Sequence, residues 1–318
     1  MMQKAKYDLS VLLIFFARPE TLEKVFEKVR QARPARLFLA CDGPRKDRPE
    51  DLEKIERCKA IVENIDWECE VHKLYSNVNK GCGKGPSDAI SWAFTFTDKL
   101  LILEDDCVAD PTLFPFMTEM LDLYENDERV GFVSGYNHFK DWDCGDNSYC
   151  FTKAAATLGW GTWKRVWEKY DYYLKNAEDP YYSRLLKKEI GHRRAGNSRV
   201  RSWANAAKET ATKKVRYWDI QFGFVKYSQS YLCIVPKGNL IYNIGVGAGS
   251  THTENTKPTK WKLGKILFMP TVPMEFPIKH PEYVICDRFY DEKYFNMMAY
   301  PPVIVRYARK IKRRVFGE

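Results

Sequence analysis

The sequence predicts an α/β protein with a mostly parallel central sheet flanked by helices on both faces. Short apolar segments alternate with segments whose apolar residues recur at helical spacing, and this alternation favours a parallel sheet. One apolar segment also ends in three consecutive acidic residues. Ligands of open α/β sheets lie beyond the carboxyl ends of the strands, so the acidic end of this segment indicates a functional site.

Four apolar segments in the N-terminal part of the chain are predicted strands, because they are short and bounded by polar or turn-forming residues. They are residues 11–16, 37–40, 69–74 and 99–103. Each is followed by a segment with apolar residues three or four positions apart, which predicts a helix. These apolar positions are Leu22, Val25, Phe26, Val29, Leu52, Ile55, Val62, Ala89, Ile90, Ala93, Phe94, Leu113, Met117, Met120, Leu121 and Tyr124.

Composition is typical of a soluble enzyme. The 318 residues are 45% hydrophobic and 29% charged, which fits one large α/β domain or two fused lobes. No apolar run approaches the ~20 residues of a membrane span, and the polar start of the chain predicts no signal peptide. The nine cysteines are scattered without CxxC spacing, so we expect reduced thiols in a cytoplasm rather than disulfides or zinc.

The acidic triplet is Glu104, Asp105 and Asp106. Three carboxylates in one place repel each other and lose hydration, and a bound divalent cation would remove that cost. Mg²⁺ and Mn²⁺ bind carboxylate and phosphate oxygens, so the triplet indicates a metal–phosphate site. The structural alternative is an acidic turn, in which Asp106 or Asp110 caps the helix that starts near Pro111.

Three polar sites follow successive predicted strands, namely residues 18–21 (Arg-Pro-Glu-Thr), 42–44 (Asp-Gly-Pro) and the triplet 104–106. In this order they resemble the nucleotide-sugar-binding half of GT-A glycosyltransferases, both the bacterial family-2-like enzymes and the N-acetylglucosaminyltransferase I group. The resemblance implies a nucleotide-sugar-binding half over residues 8–155 and an acceptor-binding catalytic half over 156–255. Residues 256–318 would then form a C-terminal extension.

The resemblance also implies roles for five residues. Asp106 would coordinate Mn²⁺ or Mg²⁺, Asp105 would lie near the ribose, and Glu104 near the ribose or the donor sugar. Asp42 would accept from the nucleobase and Arg18 would contact the nucleotide, chemistry that suits a carboxylate and a guanidinium. The alternatives are a solvated helix start for Arg18 and an ordinary Asp-Gly turn for Asp42.

A glycine-rich segment, residues 79–85, follows the third predicted strand. Its glycines permit close approach of a ligand, and its lysines add positive charge. The spacing is not that of a P-loop. Related enzymes often have an Asn-x-Gly loop here, so Gly81 and Lys84 are candidate donor contacts. A plain loop that leads into a helix is the alternative.

The segment 157–163 (Thr-Leu-Gly-Trp-Gly-Thr-Trp) is similar to a Gly-Leu-Gly-Trp segment near the donor sugar in the N-acetylglucosaminyltransferase I group. Apolar sugar faces pack on aromatic rings. We therefore expect Trp160 to contact the donor sugar, whereas Trp163 and Trp167 are expected in the core.

Asp219 stands where the same group has a Trp-Asp-Asp stretch, whose Asp deprotonates the acceptor hydroxyl. An inverting transfer needs one such carboxylate, so Asp219 is the expected catalytic base. Ile220 departs from the family pattern, and the alternative is an N-cap for the helix that contains Phe222 and Val225.

Bacterial relatives also carry a run similar to residues 241–253, in which glycines precede Thr-His-Thr. Glycines suit a loop that closes over substrate. His252 is the candidate to complete the metal shell or to contact the diphosphate, and the alternative is a structural or surface histidine.

The net charge of +9 is concentrated in residues 184–216 and at the C-terminus. Read as a helix, residues 303–318 place Val303, Tyr307, Ile311 and Val315 on one face and basic residues on the rest. This pattern suits the anionic inner face of a membrane, and a solvated basic tail is the alternative.

The sequence thus predicts a metal-dependent, inverting hexosyl- or N-acetylhexosaminyl-transferase that uses a nucleotide-sugar donor, with UDP expected, and a glycan or lipid-linked acceptor. A sugar-phosphate nucleotidyltransferase is the alternative enzyme, but that class usually has a glycine-rich loop after the first strand, and residues 16–20 contain no glycine. A nucleic-acid-binding protein is the non-enzymatic alternative. Because no recognised nucleic-acid motif is present, no nucleic-acid partner is expected.

Overall fold

Strands and helices alternate through the N-terminal part of the chain. A computed structural model describes residues 2–212, 217–245 and 268–298. All four predicted strands are present, and a further short strand follows the acidic triplet. The elements are β1 (Tyr7–Phe15), α1 (Pro19–Ala32), β2 (Pro34–Cys41), α2 (Glu50–Val62), β3 (Glu70–Tyr75), α3 (Gly81–Ala93), β4 (Lys99–Glu104), β5 (Cys107–Ala109) and α4 (Leu113–Leu123).

The second part of the chain, for which the sequence predicts an irregular acceptor-side lobe, contains regular strands and helices. It adds strands to the same sheet and a group of helices beside it. The elements are β6 (Val130–Ser134), β7 (Tyr149–Thr152), β8 (Trp160–Trp163), α5 (Lys164–Trp167), α6 (Pro180–Ile190), α7 (Arg193–Ala211), α8 (Asp219–Ser228), β9 (Leu232–Pro236), β10 (Ile241–Asn243) and α9 (Arg288–Met298).

The central sheet has the strand order β3-β2-β1-β4-β8-β6-β9-β7. Its first four strands are parallel, β8 runs antiparallel to both β4 and β6, and β7 runs antiparallel to β9. A small second sheet pairs β5 with β10. The predicted α/β class with a mostly parallel sheet between helices, a Rossmann-like arrangement, is therefore confirmed.

Burial explains why β1 and β4 occupy the middle of the sheet. Val11, Leu12 and Leu13 of β1 and Leu101 and Leu103 of β4 are inaccessible to solvent. A strand covered on both faces reads as a continuous apolar run, and that is the signal which the sequence carries here. The amphipathic prediction for α2 holds only in part, because its Leu52 is 57% exposed.

The Trp160 segment is a central strand rather than a ligand-binding loop. β8 pairs with β4 on one side and with β6 on the other, so its four residues are buried in the sheet. The glycines serve packing: a Cβ on Gly161 would lie 3.1 Å from Leu121 Cδ2, and Gly159 has φ +52°. A β-branched or larger residue could not replace either glycine without displacing its neighbours.

Candidate functional site

The acidic triplet lies where β1 and β4 end side by side. Ile14 of β1 is in register with Glu104 of β4, and the Asp105 backbone N–H donates to the Ile14 carbonyl over 3.1 Å. Beyond this point the two strands separate. The side chain of Asp105 then bridges them, because its Oδ2 accepts from the Phe16 backbone N–H over 2.9 Å.

Arg18 is the counter-ion of the triplet. Its guanidinium donates to both carboxylate oxygens of Asp105 and, through Nη1, to Asp106 Oδ2 over 3.0 Å. The Arg18 side chain is 27% exposed and that of Asp105 only 3% exposed. Both oxygens of Asp105 are therefore used within the protein, which does not favour the implied contact between Asp105 and a ribose.

Asp106 is held from the opposite side by β10. Its backbone carbonyl accepts from the Ile244 N–H over 2.9 Å, and its Oδ1 accepts from Asn243 Nδ2 over 3.3 Å. Gly245 lies so close that a Cβ there would be 2.2 Å from Asp106 Oδ2. Residue 245 must therefore be a glycine for this arrangement, since any side chain would displace the carboxylate.

Negative charge exceeds positive charge at the carboxyl ends of β1 and β4. Burial, together with repulsion by Asp106 and Asp105, raises the pKa of Glu104 to about 8. Burial also raises the pKa of Asp105, although Arg18 acts in the opposite direction. Burial would lower the pKa of the Arg18 guanidinium, but the two aspartates outweigh it and the pKa is raised. One guanidinium thus faces three carboxyl groups.

Asp219 lies within electrostatic range of the acidic triplet. It is the exposed first residue of α8, and its charge is near enough to Glu104 to contribute to the raised pKa of that residue. The N-cap of α8 is Trp218, whose carbonyl accepts from the Phe222 N–H over 3.2 Å. Asp219 therefore is not the N-cap that the structural alternative proposed.

Asp42 organises two loops. Its Oδ1 accepts from the N–H of Gly43 over 3.0 Å, and both oxygens accept from the N–H of Lys80 over 2.9 Å. Its Oδ2 also accepts from the Gly81 N–H over 2.8 Å. Burial raises the pKa of Asp42 against the opposing effect of these donors. The structure thus joins Asp42 to the glycine-rich segment, while its contact with a nucleobase stays a prediction.

The glycine-rich segment is mostly helix. α3 begins at Gly81, which has φ +76°, so the structure agrees with the alternative of a loop that leads directly into a helix. The Lys84 ammonium is exposed, forms an ion pair with Asp88 and lies 5.5 Å from the centre of the Tyr172 ring. A donor contact by Lys84 would require this ion pair to open.

Trp160 does not offer a ring face to a sugar. The residue is 1% exposed, and its ring stacks on Trp218 with centres 5.5 Å apart at an angle of 17°. This burial does not favour the predicted contact with the donor sugar, because a buried ring has no free face. Trp163 and Trp167 are 1% and 6% exposed, as expected of core residues.

Asp110, rather than Asp106, prepares the start of α4. Its Oδ1 accepts from the N–H of Thr112 over 3.0 Å and from the Thr112 hydroxyl over 2.6 Å. Asp110 therefore stabilises the turn before α4, a role that the alternative interpretation gave to Asp106 or Asp110. Asp106 is not needed for this turn. His252 and residues 303–318 lie outside the described residues, so both predictions about them stay open.

Asp106 is the candidate ligand for a divalent cation, but its Oδ2 accepts from Arg18 and its Oδ1 from Asn243, so a cation would have to displace one of these donors. Its carboxylate is 13% exposed at the sheet edge, beside two further carboxyl groups with one guanidinium between them. Within the described ranges, however, no group of three His, Cys, Asp or Glu side chains forms a complete metal site. Phosphate oxygens of a bound nucleotide would therefore have to supply further ligands.

Sequence reasoning missed Asn243, which fixes Asp106 from β10. Asn243 stands directly before the glycines of residues 241–253, and this position could have indicated a contact with the acidic triplet. The segment was instead interpreted as a loop that closes over substrate. Cys107 was also missed. Its thiol lies 3.5 Å from Asp106 Oδ1, and burial, with repulsion by Asp106, raises its pKa.

No protein-family model and no curated protein matches the chain. Solved structures resemble it weakly. A UDP-glucose pyrophosphorylase complexed with UDP-glucose is 11% identical with a TM-score of 0.37, covering 74% of this chain and 92% of that chain. An inositol-1-phosphate CTP transferase from T. maritima is 11% identical with a TM-score of 0.29, covering 51% and 73%. These names match the alternative enzyme class, but similarity at this level supports no conclusion about function.

Among the residues that the structure describes, no helix is long and apolar enough to cross a membrane.

Proposed function

We propose that the chain is a metal-dependent glycosyltransferase of the GT-A type. It would transfer a sugar from a nucleotide diphosphate sugar to a hydroxyl group of a glycan or lipid-linked acceptor. The expected donor is a UDP-sugar. The observation that supports this proposal most is the acidic triplet at the carboxyl ends of the adjacent strands β1 and β4, with the charge of the exposed Asp219 near enough to raise the pKa of Glu104. A candidate base and a candidate metal–phosphate site thus occur together.

Each chemical role follows from the residues. Asp106 would hold Mn²⁺ or Mg²⁺, which when bound neutralises charge on the leaving diphosphate. The Arg18 guanidinium would bind phosphate oxygens as a planar fork, which requires it to release part of its contact with Asp105 or Asp106. In an inverting transfer the acceptor oxygen attacks the anomeric carbon as the bond to the diphosphate breaks, and the Asp219 carboxylate takes the hydroxyl proton.

The connection between β1 and α1 favours this proposal over a nucleotidyltransferase. It consists of residues 16–18, contains no glycine, and has Ala17 at φ 46°. A glycine-rich pyrophosphate loop, which we expect of the alternative class, has no counterpart there. Arg18 instead closes the turn by its contacts with Asp105 and Asp106.

A substrate comparison tests the proposal. The protein is incubated with Mn²⁺ and UDP-sugars in one assay, and with nucleoside triphosphates and sugar 1-phosphates in the other. The first assay measures UDP release and the second measures pyrophosphate. We expect UDP release that EDTA abolishes. Pyrophosphate formation without UDP release would establish the nucleotidyltransferase instead, and no turnover in either assay together with no Mn²⁺-dependent binding of UDP would remove both enzymes.

A further inference from the structure

Helix α6 has one buried face and one exposed face. Leu186 and Ile190 pack into the core with 5% and 1% exposure. Tyr181 and Leu185, by contrast, are 56% and 45% exposed. At 3.6 residues per turn, Tyr181, Arg184, Leu185 and Lys188 share one arc of the helix. We call these four residues the α6 outer face.

Among the residues that the structure describes, the basic residues of the α6 outer face have no acidic partner. Neither Arg184 nor Lys188 has a carboxylate within ion-pair distance in the part of the chain that the structure describes. The Arg184 guanidinium instead lies 5.6 Å from the centre of the Tyr181 ring. Glu189, the acid of this helix, is already paired with Lys153. The outer face therefore presents aromatic, aliphatic and cationic groups together, and no carboxylate in the described ranges pairs with its basic residues.

Positive charge continues beside this face. A groove of about 360 Å³ lies between α6 and α7 and is lined by Lys187, Asn197, Val200 and Arg201. α9 packs at the start of α7, where the His192 and Phe295 rings stack with centres 5.7 Å apart. The chain then continues from α9 into the basic sequence 303–318.

We propose that the α6 outer face docks this protein on an anionic membrane surface. Tyrosine prefers the membrane–water boundary, a leucine side chain inserts among acyl chains, and arginine and lysine attract anionic headgroups while their stems remain apolar. A nucleic acid would use the cations and tyrosines, but it would gain little from the exposed Leu185. The inference goes beyond the proposed transfer reaction and does not depend on it.

Vesicle binding by the full chain tests this proposal with a matched pair of variants. The docking variant is Arg184→Gln/Leu185→Ser/Lys188→Gln. The control is Lys24→Gln/Leu52→Ser/Lys54→Gln, which removes the same charges and the same kind of exposed leucine from α1 and α2, where all three residues are exposed. Melting temperatures confirm that both variants are folded. The measurement is co-sedimentation with phosphatidylcholine vesicles, with and without phosphatidylglycerol.

We expect the unaltered protein and the control to bind the anionic vesicles and not the neutral ones. The docking variant should bind them about 30-fold more weakly, since each basic residue near such a surface contributes about 1 kcal/mol. Equal binding by the docking variant and the control would overturn the proposal, as would no preference for anionic vesicles. If the unaltered protein binds single-stranded RNA but not these vesicles, the face serves nucleic acid and the proposal is wrong.

Discussion

Asp219→Asn separates a catalytic base from a structural carboxylate. We expect the variant to bind donor and metal but to lose transfer by ~10²–10⁴-fold, since Asn cannot accept the proton of the acceptor hydroxyl. That loss corresponds to about 3–5 kcal/mol of activation free energy. The structure predicts a much smaller effect on folding. Asp219 is exposed at the first position of α8, where a carboxylate stabilises the helix by about 0.3–1 kcal/mol through its interaction with the helix dipole.

Asp179→Asn is the matched control. Asp179 is also an exposed acid at a helix start, and as the N-cap of α6 its Oδ1 accepts from the Tyr181 N–H over 2.7 Å. Asparagine caps a helix about as well as aspartate, so this variant should keep both stability and turnover. It removes the same charge from the start of a different helix.

The assay combines three measurements on each variant: the melting temperature, the affinity for UDP with Mn²⁺, and turnover at saturating donor. Loss of turnover in Asp219→Asn alone, with donor binding and melting temperature close to those of the unaltered protein, supports the base. Near-normal turnover in that variant would refute the reasoning. An equal loss of turnover in Asp179→Asn would show that helix electrostatics, rather than a base, are responsible.

Three further outcomes are expected. Asp106→Asn should abolish Mn²⁺-dependent UDP binding in calorimetry while the fold remains intact, and unchanged affinity would contradict the metal assignment. Burial, with the nearby Lys226 and Arg199 charges, lowers the pKa of His138 to about 3 in the folded protein. In the unfolded protein His138 takes up a proton below pH ~6.5, whereas in the folded protein it stays neutral at pH 5. Protonation of the unfolded state should therefore lower the free energy of unfolding by about 2 kcal/mol at pH 5. Denaturant titrations of His138→Gln should accordingly show a shallower loss of stability between about pH 6.5 and 4 than the unaltered protein, and parallel pH profiles would exclude this effect. Removal of residues 303–318 should weaken binding to anionic vesicles without loss of activity on a soluble acceptor, and equal vesicle binding would exclude a membrane role for this segment.

The N-terminal part of the fold was predictable because its signals are local. Strands β1 and β4 are buried on both faces and therefore appear as continuous apolar runs, and α1 carries a regular apolar stripe. The order of strand and helix then fixes a parallel arrangement. The acids at the end of β4 were identified for the same reason, since a polar cluster after a buried strand is visible in the sequence alone.

The second half was harder to predict because its strands obtain their partners from distant parts of the chain. β8 lies between β4 and β6, so the burial of Trp160 follows from pairing and from the stacking of Trp218, neither of which is apparent from the segment itself. A tryptophan flanked by glycines has the same local pattern in a ligand loop and in a central strand. Only the position of the segment in the sheet distinguishes the two.

The sequence by itself determined the fold class, the acidic triplet at a strand end and the candidate base. The tertiary structure decided how these residues divide their roles. Asp105 is committed to Arg18 and to the Phe16 N–H, Asp106 remains at the sheet edge under Asn243, and Asp219 begins a helix without capping it. The physical reason is that a carboxylate's role depends on which donors reach its oxygens, and the donors to Asp105 and Asp106 come from the connection between β1 and α1 and from β10, far from β4 in the chain.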